Sequence, residues 1–423
     1  MKKVLVITYY WPPAGGPGVQ RWLKFVKYLR NFGIEPVLYI PENPHYPLID
    51  KSFESDIPDD ITIYKHPIWE PYRFASLLSR KKTERISSGI IQHKNQSILE
   101  QLMLWVRGNF FIPDARKYWV RPSIKFLYDV IDKEGISSII TTGPPHSVHL
   151  IGHYLKEFKK VTWLADFRDP WTSIGYHKKL KLTGIARNRH KELEHLVLNN
   201  ADKIVVTSQT TKDEFQQLTR KPIHVITNGF DSVTPAKVNL DKKFTISHVG
   251  SMLSARNPEN FWKVLSELVN EHSAFKAALE LRFIGVVSED ILKSLKSFGL
   301  DNYLHVVGYV KHDEAVAYQR RSQILLLAEI DAPETVGIIP GKLFEYMAAA
   351  RPILGIGPED WEVAKLVADT KTGAIFDYKA HFQLKNVLLN WFQQYQKNAL
   401  NVASNNINQY SRRELTRKLA EHI

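Results

Sequence analysis

Three residues near the start of one helical pattern are spaced to bind a phosphorylated ligand that carries a ribose. Gly341 ends a loop, and Lys342 and Glu345 lie in the first turn of the helical pattern that follows it. The amino end of a helix presents unpaired amides and a positive dipole end, which attract anions. Lys342 adds a full positive charge, and the Glu345 carboxylate can accept hydrogen bonds from two ribose hydroxyls. This spacing predicts a site for a diphosphate and its ribose.

Two other loops follow apolar runs and carry residues that suit phosphate. Arg256 lies shortly after Gly250, and Gly15 and Gly16 lie between the first apolar run and a helical pattern. Such loops gather at the carboxyl ends of parallel strands, where ligands bind. We therefore expect the three loops to meet at one cleft.

The glycine-rich turn is not a dinucleotide fingerprint. That motif needs a third glycine where Arg21 stands, and no Walker lysine follows the turn. A turn that binds no ligand remains the alternative for this loop.

Two residues are candidates for the chemistry at the acceptor. His146 follows a Pro-Pro turn at the start of a helical pattern, and it shares one helix face with His149 and His153. We favour helix packing or a ligand-facing row over a metal site for these histidines. Asp166 and Asp169 end a strand pattern, and Asp169 is either an acid or base for the acceptor hydroxyl or part of a structural ion pair with an arginine.

Short apolar runs alternate with helical patterns along both halves of the chain, which predicts an α/β protein with parallel sheets. The predicted strands are Val4 to Thr8, Pro36 to Ile40, Ser137 to Thr141, Val161 to Ala165, Lys203 to Thr207, His224 to Thr227, Phe244 to Val249, Leu281 to Val286, Leu304 to Val307, Ile324 to Leu327, Ile353 to Gly355 and Ala374 to Phe376.

These patterns predict two domains joined by a polar linker. We assign residues 1–230 to an N-terminal domain and residues 244–405 to a C-terminal domain, with a linker at 231–243. Residues 72–122 fit no regular alternation and are interpreted as an insertion that shapes the acceptor site. Residues 406–423 are predicted to form a helix that crosses back to the first domain.

Composition limits the class of protein. The chain has 423 residues and no cysteine, which excludes disulfides, thiolate metal sites and a cysteine nucleophile. No apolar run is long enough to span a bilayer or to serve as a signal peptide, so we expect a cytoplasmic protein. The net charge of +13 indicates an anionic partner, either a phosphorylated substrate, an acidic membrane surface or nucleic acid. No nucleic-acid motif is present, and nucleic acid is not expected.

Four motifs together resemble the retaining glycosyltransferases of family four, also described as glycosyl transferases group 1. These enzymes have the GT-B fold, in which two Rossmann-like parallel-sheet domains face a central cleft. The motifs are Gly15-Gly16, Asn228-Gly229-Phe230-Asp231, Arg256-Asn257-Pro258, and Gly341-Lys342-Leu343-Phe344-Glu345-Tyr346 followed by Ala350-Arg351-Pro352.

The resemblance implies that the N-terminal domain (1–230) binds the acceptor and that the C-terminal domain (244–405) binds the nucleotide sugar. It also implies roles for individual residues. Glu345 would bind the ribose hydroxyls, Lys342 and Arg256 the pyrophosphate, and the amides of Lys342 and Leu343 a phosphate oxygen. His146 would touch the donor sugar. The remaining donor-site positions implied are Gly15, Gly16, Asn228, Gly250 and Gly341.

The resemblance also implies the reaction. A sugar would pass, with retention, from a nucleotide diphosphate sugar to a saccharide or lipid-linked acceptor in surface polysaccharide synthesis, at or near the inner membrane face. No cofactor is implied, and no metal ion is expected because an Asp-x-Asp motif is lacking.

Two departures from the family pattern bear on this expectation. Gly337 stands where many members have a first glutamate, and Ser251 stands where an arginine often follows the strand glycine. A nucleotide-sugar epimerase or hydrolase of the same fold remains an alternative, and a basic nucleic-acid-binding protein is a second one.

Overall fold

The computed structural model describes residues 1–71, 98–231 and 238–423, and it divides the chain into two compact α/β units. The first unit comprises Met1–Asn228 together with Arg412–Ile423, and the second comprises Gly229–Ser411. The main chain therefore passes from one unit to the other twice.

The first unit is built on a seven-stranded parallel sheet with the order β3-β2-β1-β4-β5-β6-β7. Its central strands are almost wholly buried, as expected when helices cover both faces of a parallel sheet. The strands are β1 Lys2–Thr8, β2 Ile34–Pro41, β3 Thr62–His66, β4 Ser138–Gly143, β5 Thr162–Phe167, β6 Lys203–Val206 and β7 Ile223–Val225.

The helices of the first unit pack on the two faces of this sheet. Helix α1 begins at Pro17, whose fixed φ and missing amide hydrogen suit the first turn of a helix. The helices are α1 Pro17–Leu29, α2 Ile98–Phe110, α3 Val120–Glu134, α4 Ser147–Phe158, α5 Gly175–Lys178, α6 Gly184–Asn200 and α7 Gln209–Gln216.

The second unit has a six-stranded parallel sheet with the order β10-β9-β8-β11-β12-β13. Its strands are β8 Phe244–Val249, β9 Leu279–Ile284, β10 Leu304–Gly308, β11 Ile324–Ala328, β12 Ile353–Gly357 and β13 Gly373–Asp377. Its helices are α8 Glu259–Glu271, α9 Ser273–Ala278, α10 Glu289–Ser297, α11 His312–Arg321, α12 Lys342–Ala348, α13 Glu362–Thr370 and α14 Phe382–Gln396.

The last helix, α15 (Arg412–Ala420), belongs to the first unit. Leu415 and Leu419 are buried in the same apolar cluster as Trp22 and Val26 of α1. The guanidinium of Arg412 also donates to the Gln20 side chain (2.7 Å). This helix therefore completes one face of a sheet whose first strand begins at the other end of the sequence.

Each predicted strand overlaps an observed one, so the alternation was interpreted correctly. The edge strand β3 was not predicted, because its partly exposed sequence Thr-Ile-Tyr-Lys-His is too polar to stand out as an apolar run. Residues 72–97 of the predicted insertion and 232–237 of the predicted linker lie outside the described residues. The rest of the insertion contains α2 and the start of α3. Within the described ranges, no helix is both long and apolar enough to cross a bilayer.

Both sheets contain a point where the strand order reverses, which is where open α/β sheets bind ligands. In the first sheet β1 lies between β2 and β4, and in the second sheet β8 lies between β9 and β11. The loops that leave the carboxyl ends of these central strands carry most of the residues singled out from the sequence.

Candidate functional site

Lys342 lies at the reversal point of the second sheet. It is the first residue of α12, and its Nζ is 3.2 Å from Nε2 of His248 on the central strand β8. Gly250, just after that strand, has φ +111°, and a Cβ built there would lie 2.8 Å from the same Nζ. The glycine thus leaves room for the lysine side chain against the backbone, which a larger residue would fill.

Arg256 is held by a carboxylate that the sequence analysis did not single out. Its Nε and Nη2 donate to Oε1 and Oε2 of Glu329 at 3.0 and 3.1 Å. Glu329 directly follows β11, and its side chain is only 1% exposed. The Ile330 amide also donates to Glu329 Oε1 (2.9 Å). Such a bidentate pair fixes the guanidinium plane beside the strand ends.

The first turn of α12 agrees only in part with the predicted phosphate site. Glu345 is partly buried, and its Oε2 accepts a hydrogen bond from Gln319 Nε2 (3.0 Å). The Leu343 amide, predicted to bind a phosphate oxygen, already donates to the Pro340 carbonyl (2.9 Å). In this conformation the loop, rather than a ligand, satisfies that amide.

The positive charges of Lys342 and Arg256 repel each other. Burial lowers the pKa of Lys342 to about 7, the Arg256 charge adds to the effect, and the carboxylates of Glu329 and Glu345 oppose it. Burial, then the Lys342 charge, lowers the pKa of His248 well below its usual value, although a hydrogen bond to the Leu326 carbonyl opposes this. An incoming dianion would relieve this repulsion and favour the ammonium form of Lys342.

His146, in the first unit, is a buried histidine whose ring packs against an aromatic residue. Its ring stacks on that of Trp171, with centroids 4.7 Å apart and planes 4° apart, and the residue is 4% exposed. Among the described residues neither ring nitrogen has a partner. Burial, and then the neighbouring His149, holds the pKa of His146 well below its usual value. A neutral imidazole offers one donor and one acceptor, as a hydroxyl does.

His146 lines a cavity of about 120 Å³ within the first unit. Another buried ring there, that of His177, also lacks a partner at Nε2 within the described part of the chain, and burial lowers its pKa to about 4. Residues lining the cavity include Tyr10, Arg107, Phe111, Arg116, His146 and His177.

Two charged groups that line this cavity, Arg116 and Asp114, have partners within the first unit. Arg116 Nε lies 3.1 Å from Glu70 Oε1, and the Asp114 carboxylate accepts from the amide and the hydroxyl of Ser147, both at 2.8 Å, at the start of α4. Aromatic rings and neutral imidazoles also line the cavity, and such side chains suit a hydroxyl-rich ligand.

Asp166, within β5, and Asp169, just after it, differ in their surroundings. Asp166 is fully buried and accepts from Arg21 Nη2 (2.9 Å), Trp22 Nε1 (2.7 Å) and Thr142 Oγ1 (2.8 Å). Arg21, which breaks the dinucleotide fingerprint, thus has a structural role. Asp169, the predicted acid or base, is exposed.

The glycine-rich turn is partly occupied by the chain itself. The Gly15 amide donates to the Leu48 carbonyl (2.9 Å), and Gly16 has φ +105° at the start of α1. A Cβ at Gly18 would overlap the Arg168 guanidinium, which also donates to the carbonyls of Gly143 and Pro144. The arginine therefore bridges the loops after β1 and β4. Asn228 is the last residue of the first unit's main segment.

The three histidines of α4 have separate surroundings. His149 Nδ1 lies 2.9 Å from Thr141 Oγ1, whereas His153 Nε2 lies 3.4 Å from a Glu157 carboxylate oxygen. Within the described residues, no group of three or more histidines or carboxylates is arranged to hold a metal ion.

Sequence reasoning missed His248 and Glu329 at the second-unit site. His248 lies inside a predicted strand, where a histidine is usually a packed core residue, and Glu329 is 73 positions from Arg256 in the sequence. The available signal was weak: Glu329 is a carboxylate directly after an apolar strand, a position that often faces a ligand.

Comparisons with known proteins agree with this architecture. The family model described as Glycosyltransferase Family 4 matches residues 90–233, and the model described as Glycosyl transferases group 1 matches residues 243–392. Together the two matches cover more than half of the chain. No curated protein is similar enough in sequence to match it.

Solved structures share the fold at low sequence identity. A glycosyltransferase from Rickettsia africae is 14% identical with a TM-score of 0.57, covering 100% of this chain and 97% of its own. HepE of Anabaena, solved with UDP-glucose, is 13% identical with a TM-score of 0.55, covering 100% and 95%. A putative UDP-N-acetylglucosamine 2-epimerase from Listeria monocytogenes is 12% identical with a TM-score of 0.54, covering 99% and 95%.

Identity this low establishes a shared fold and leaves the substrates open. The two parallel-sheet units and these likenesses confirm the expected class, two Rossmann-like domains of the GT-B type. The family models, which match one unit each over most of its length, confirm the resemblance drawn from the motifs. The chain belongs to the group 1 glycosyltransferases of family 4.

Proposed function

We propose that the protein transfers a sugar from a nucleotide diphosphate sugar to a saccharide or lipid-linked acceptor, with retention of the anomeric configuration. The observation that carries this proposal is the cluster of Lys342, Arg256 and Glu345 at the reversal point of the second sheet. Two cations suit the charge of a diphosphate, and a carboxylate suits the hydroxyls of its ribose.

The proposed chemistry needs little from the protein except electrostatics. The bond from the anomeric carbon to the diphosphate oxygen breaks, and the acceptor oxygen bonds to the same face of that carbon. The acceptor proton passes to an oxygen of the departing phosphate. Lys342 and Arg256 stabilise the charge that develops on the diphosphate, which is the usual role of preorganised donors in a site of this kind. Neither a cofactor nor a metal ion has a part in this scheme.

The acceptor is proposed to bind in the first unit, in the cavity that contains His146. Its unpaired imidazole nitrogens and aromatic walls suit a sugar ring. In an alternative version of the transfer step, Asp169 and not the departing phosphate takes the proton of the acceptor hydroxyl. A lipid-linked acceptor in polysaccharide assembly would bring the protein from the cytoplasm to the inner membrane face, where a net charge of +13 favours anionic headgroups.

The first test identifies the donor. A thermal-shift screen of UDP, GDP, ADP and TDP, with their sugar conjugates, should reveal one nucleotide that raises the melting temperature, because a ligand that binds only the folded state stabilises it. With that donor, Lys342→Ala and Arg256→Ala are each expected to lower turnover by about ten- to a thousandfold. Unchanged turnover in both variants would refute the assignment of these residues.

A nucleotide-sugar epimerase or hydrolase is the second candidate, and the likeness to the Listeria 2-epimerase fold favours considering it. Such an enzyme converts the donor without an acceptor. Donor consumption should therefore be followed with and without an oligosaccharide or lipid-linked acceptor. Equal donor consumption with and without acceptor would contradict sugar transfer and would support an epimerase or hydrolase function.

A further inference from the structure

His248 is buried in the middle of the second sheet, and its ring makes polar contacts with the Leu326 carbonyl, with Lys342 and with the backbone of Ser251. The residue is 1% exposed, its Nδ1 lies 3.0 Å from the Leu326 carbonyl oxygen, and its Nε2 lies 3.2 Å from Lys342 Nζ. A carbonyl oxygen can only accept, so Nδ1 carries the ring proton. Nε2 is then the unprotonated nitrogen and accepts a hydrogen bond from the lysine.

These contacts hold the Lys342 side chain in one orientation. A lysine side chain has many rotamers and loses considerable conformational entropy when it is held in one. Here the Nζ is confined between the His248 ring and the backbone at Gly250, where a Cβ would lie 2.8 Å away. The ammonium group donates to Nε2 with one hydrogen and keeps two for another acceptor.

We propose that His248 is a positioning residue that orients the Lys342 ammonium group towards the donor diphosphate and keeps it protonated there. This inference rests on the proposed function, since it assigns Lys342 to the diphosphate. Burial, and then the Arg256 charge, lowers the pKa of Lys342, and the carboxylates of Glu329 and Glu345 oppose this. Neutral His248 can accept from the ammonium form of Lys342, so its contact also favours the charged lysine.

Two substitutions separate the contacts of the ring. An asparagine side chain reaches the position of Nδ1, so His248→Asn can keep the hydrogen bond to Leu326 while losing the acceptor for Lys342. A glutamine side chain reaches the position of Nε2, so His248→Gln can keep that acceptor. We expect His248→Asn to weaken binding of the nucleoside diphosphate found in the screen by on the order of tenfold, as for a lost hydrogen bond to a charged group. His248→Gln should stay within about threefold of wild type.

The pH dependence of binding gives a readout that a purely structural role would not change. The ammonium form of Lys342 binds the diphosphate, so the Kd should rise as the pH increases through about 7. In His248→Asn the ammonium loses its acceptor, and this rise should begin at lower pH. In Lys342→Arg the Kd should lose the part of its pH dependence that comes from ionisation of residue 342, because a guanidinium stays charged. Ionisation of the nucleotide is the same for wild type and for each variant, so it cancels in the comparison.

Isothermal titration calorimetry at several pH values, with thermal melting of each variant, decides the matter. Wild-type affinity and an unshifted pH profile in His248→Asn would overturn the inference. Equal losses in the Asn and Gln variants, with equally lowered melting temperatures, would also overturn it and assign a structural role. If wild type binds no nucleoside diphosphate, the proposed function fails as well. If Lys342→Ala weakens binding while His248→Asn does not, the inference alone fails.

Discussion

At the scale of single residues, the ring nitrogens of His146 carry a stability cost that packing does not explain. A buried polar group without a partner costs about 1–3 kcal/mol of folding free energy. His146 bears two such atoms among the described residues, and its ring otherwise packs as an aromatic residue against Trp171. A phenylalanine would fill the same space without that cost, which indicates a functional use for the nitrogens.

The substitution His146→Phe tests this interpretation. The ring stack on Trp171 is kept, so the free energy of unfolding should rise by about 1 kcal/mol or more as the unpaired polar atoms are removed. The rate of sugar transfer should fall at least about tenfold because the acceptor loses its hydrogen bonds. Chemical denaturation and a transfer assay measure the two effects. His195→Phe on the exposed side of α6 is the matched control and should change neither quantity. Normal transfer by His146→Phe would contradict the interpretation.

The sequence predicted the residue types of the candidate site in the second unit better than their partners. Lys342, Arg256 and Gly250 do lie close together, because all three follow or face the ends of central strands. The contacts with His248 and Glu329 could not be predicted, since a pairing between distant segments depends on sheet order, which the strand pattern leaves open.

At the scale of elements, α15 is held by an apolar stripe against α1. Leu419 is fully buried and Leu415 is 3% exposed, and both lie in a cluster with Trp22 and Leu23. Leu419→Ala should lower the free energy of unfolding of the first unit by about 2–5 kcal/mol, through lost burial and the cavity left behind. Arg413→Ala, at an exposed position of the same helix, is the control and should change stability by less than about 0.5 kcal/mol.

Hydrogen exchange followed by mass spectrometry can assign the effect of Leu419→Ala to one unit. Peptides from α1 and β1 should exchange faster in the variant, while peptides from β8 and β11 should be unchanged. Protection of α1 equal to that of wild type would show that α15 contributes little to the first unit.

Some helices and strands could be predicted from the sequence and others could not. Apolar alternation found the central strands but not the polar edge strand β3. Trp119, interpreted as part of an insertion that shapes the acceptor site, is 1% exposed and stacks on Tyr39 at 4.9 Å in the core. In an irregular stretch of sequence, an aromatic residue that packs in the core cannot be distinguished from one that faces a ligand. The burial of Trp119 is therefore known only from the structure.

At the scale of the whole molecule, the net charge of +13 predicts weak, salt-sensitive attraction to anionic surfaces. Exposed cations lie on α6, including Arg187 and Lys191, near the exposed apolar side chain of Ile185. Sedimentation with vesicles containing phosphatidylglycerol should pull down the protein at low salt, and binding should fall as salt is raised to about 0.15 M, where the Debye length is near 8 Å.

Two controls make the vesicle measurement specific. Vesicles of neutral phosphatidylcholine should bind little protein, and the double variant Arg187→Glu, Lys191→Glu should bind anionic vesicles more weakly than wild type. Equal binding to both kinds of vesicle would count against an electrostatic membrane association.

The return of the chain to its first unit has a consequence for biosynthesis. A ribosome releases residues 412–423 after all of the second unit has been made, so the face of α1 that receives Leu415 and Leu419 stays uncovered throughout translation of residues 229–411. The nascent N-terminal unit therefore leaves this apolar face of α1 exposed until α15 has been made, and apolar surface of this kind favours aggregation of an unfinished chain.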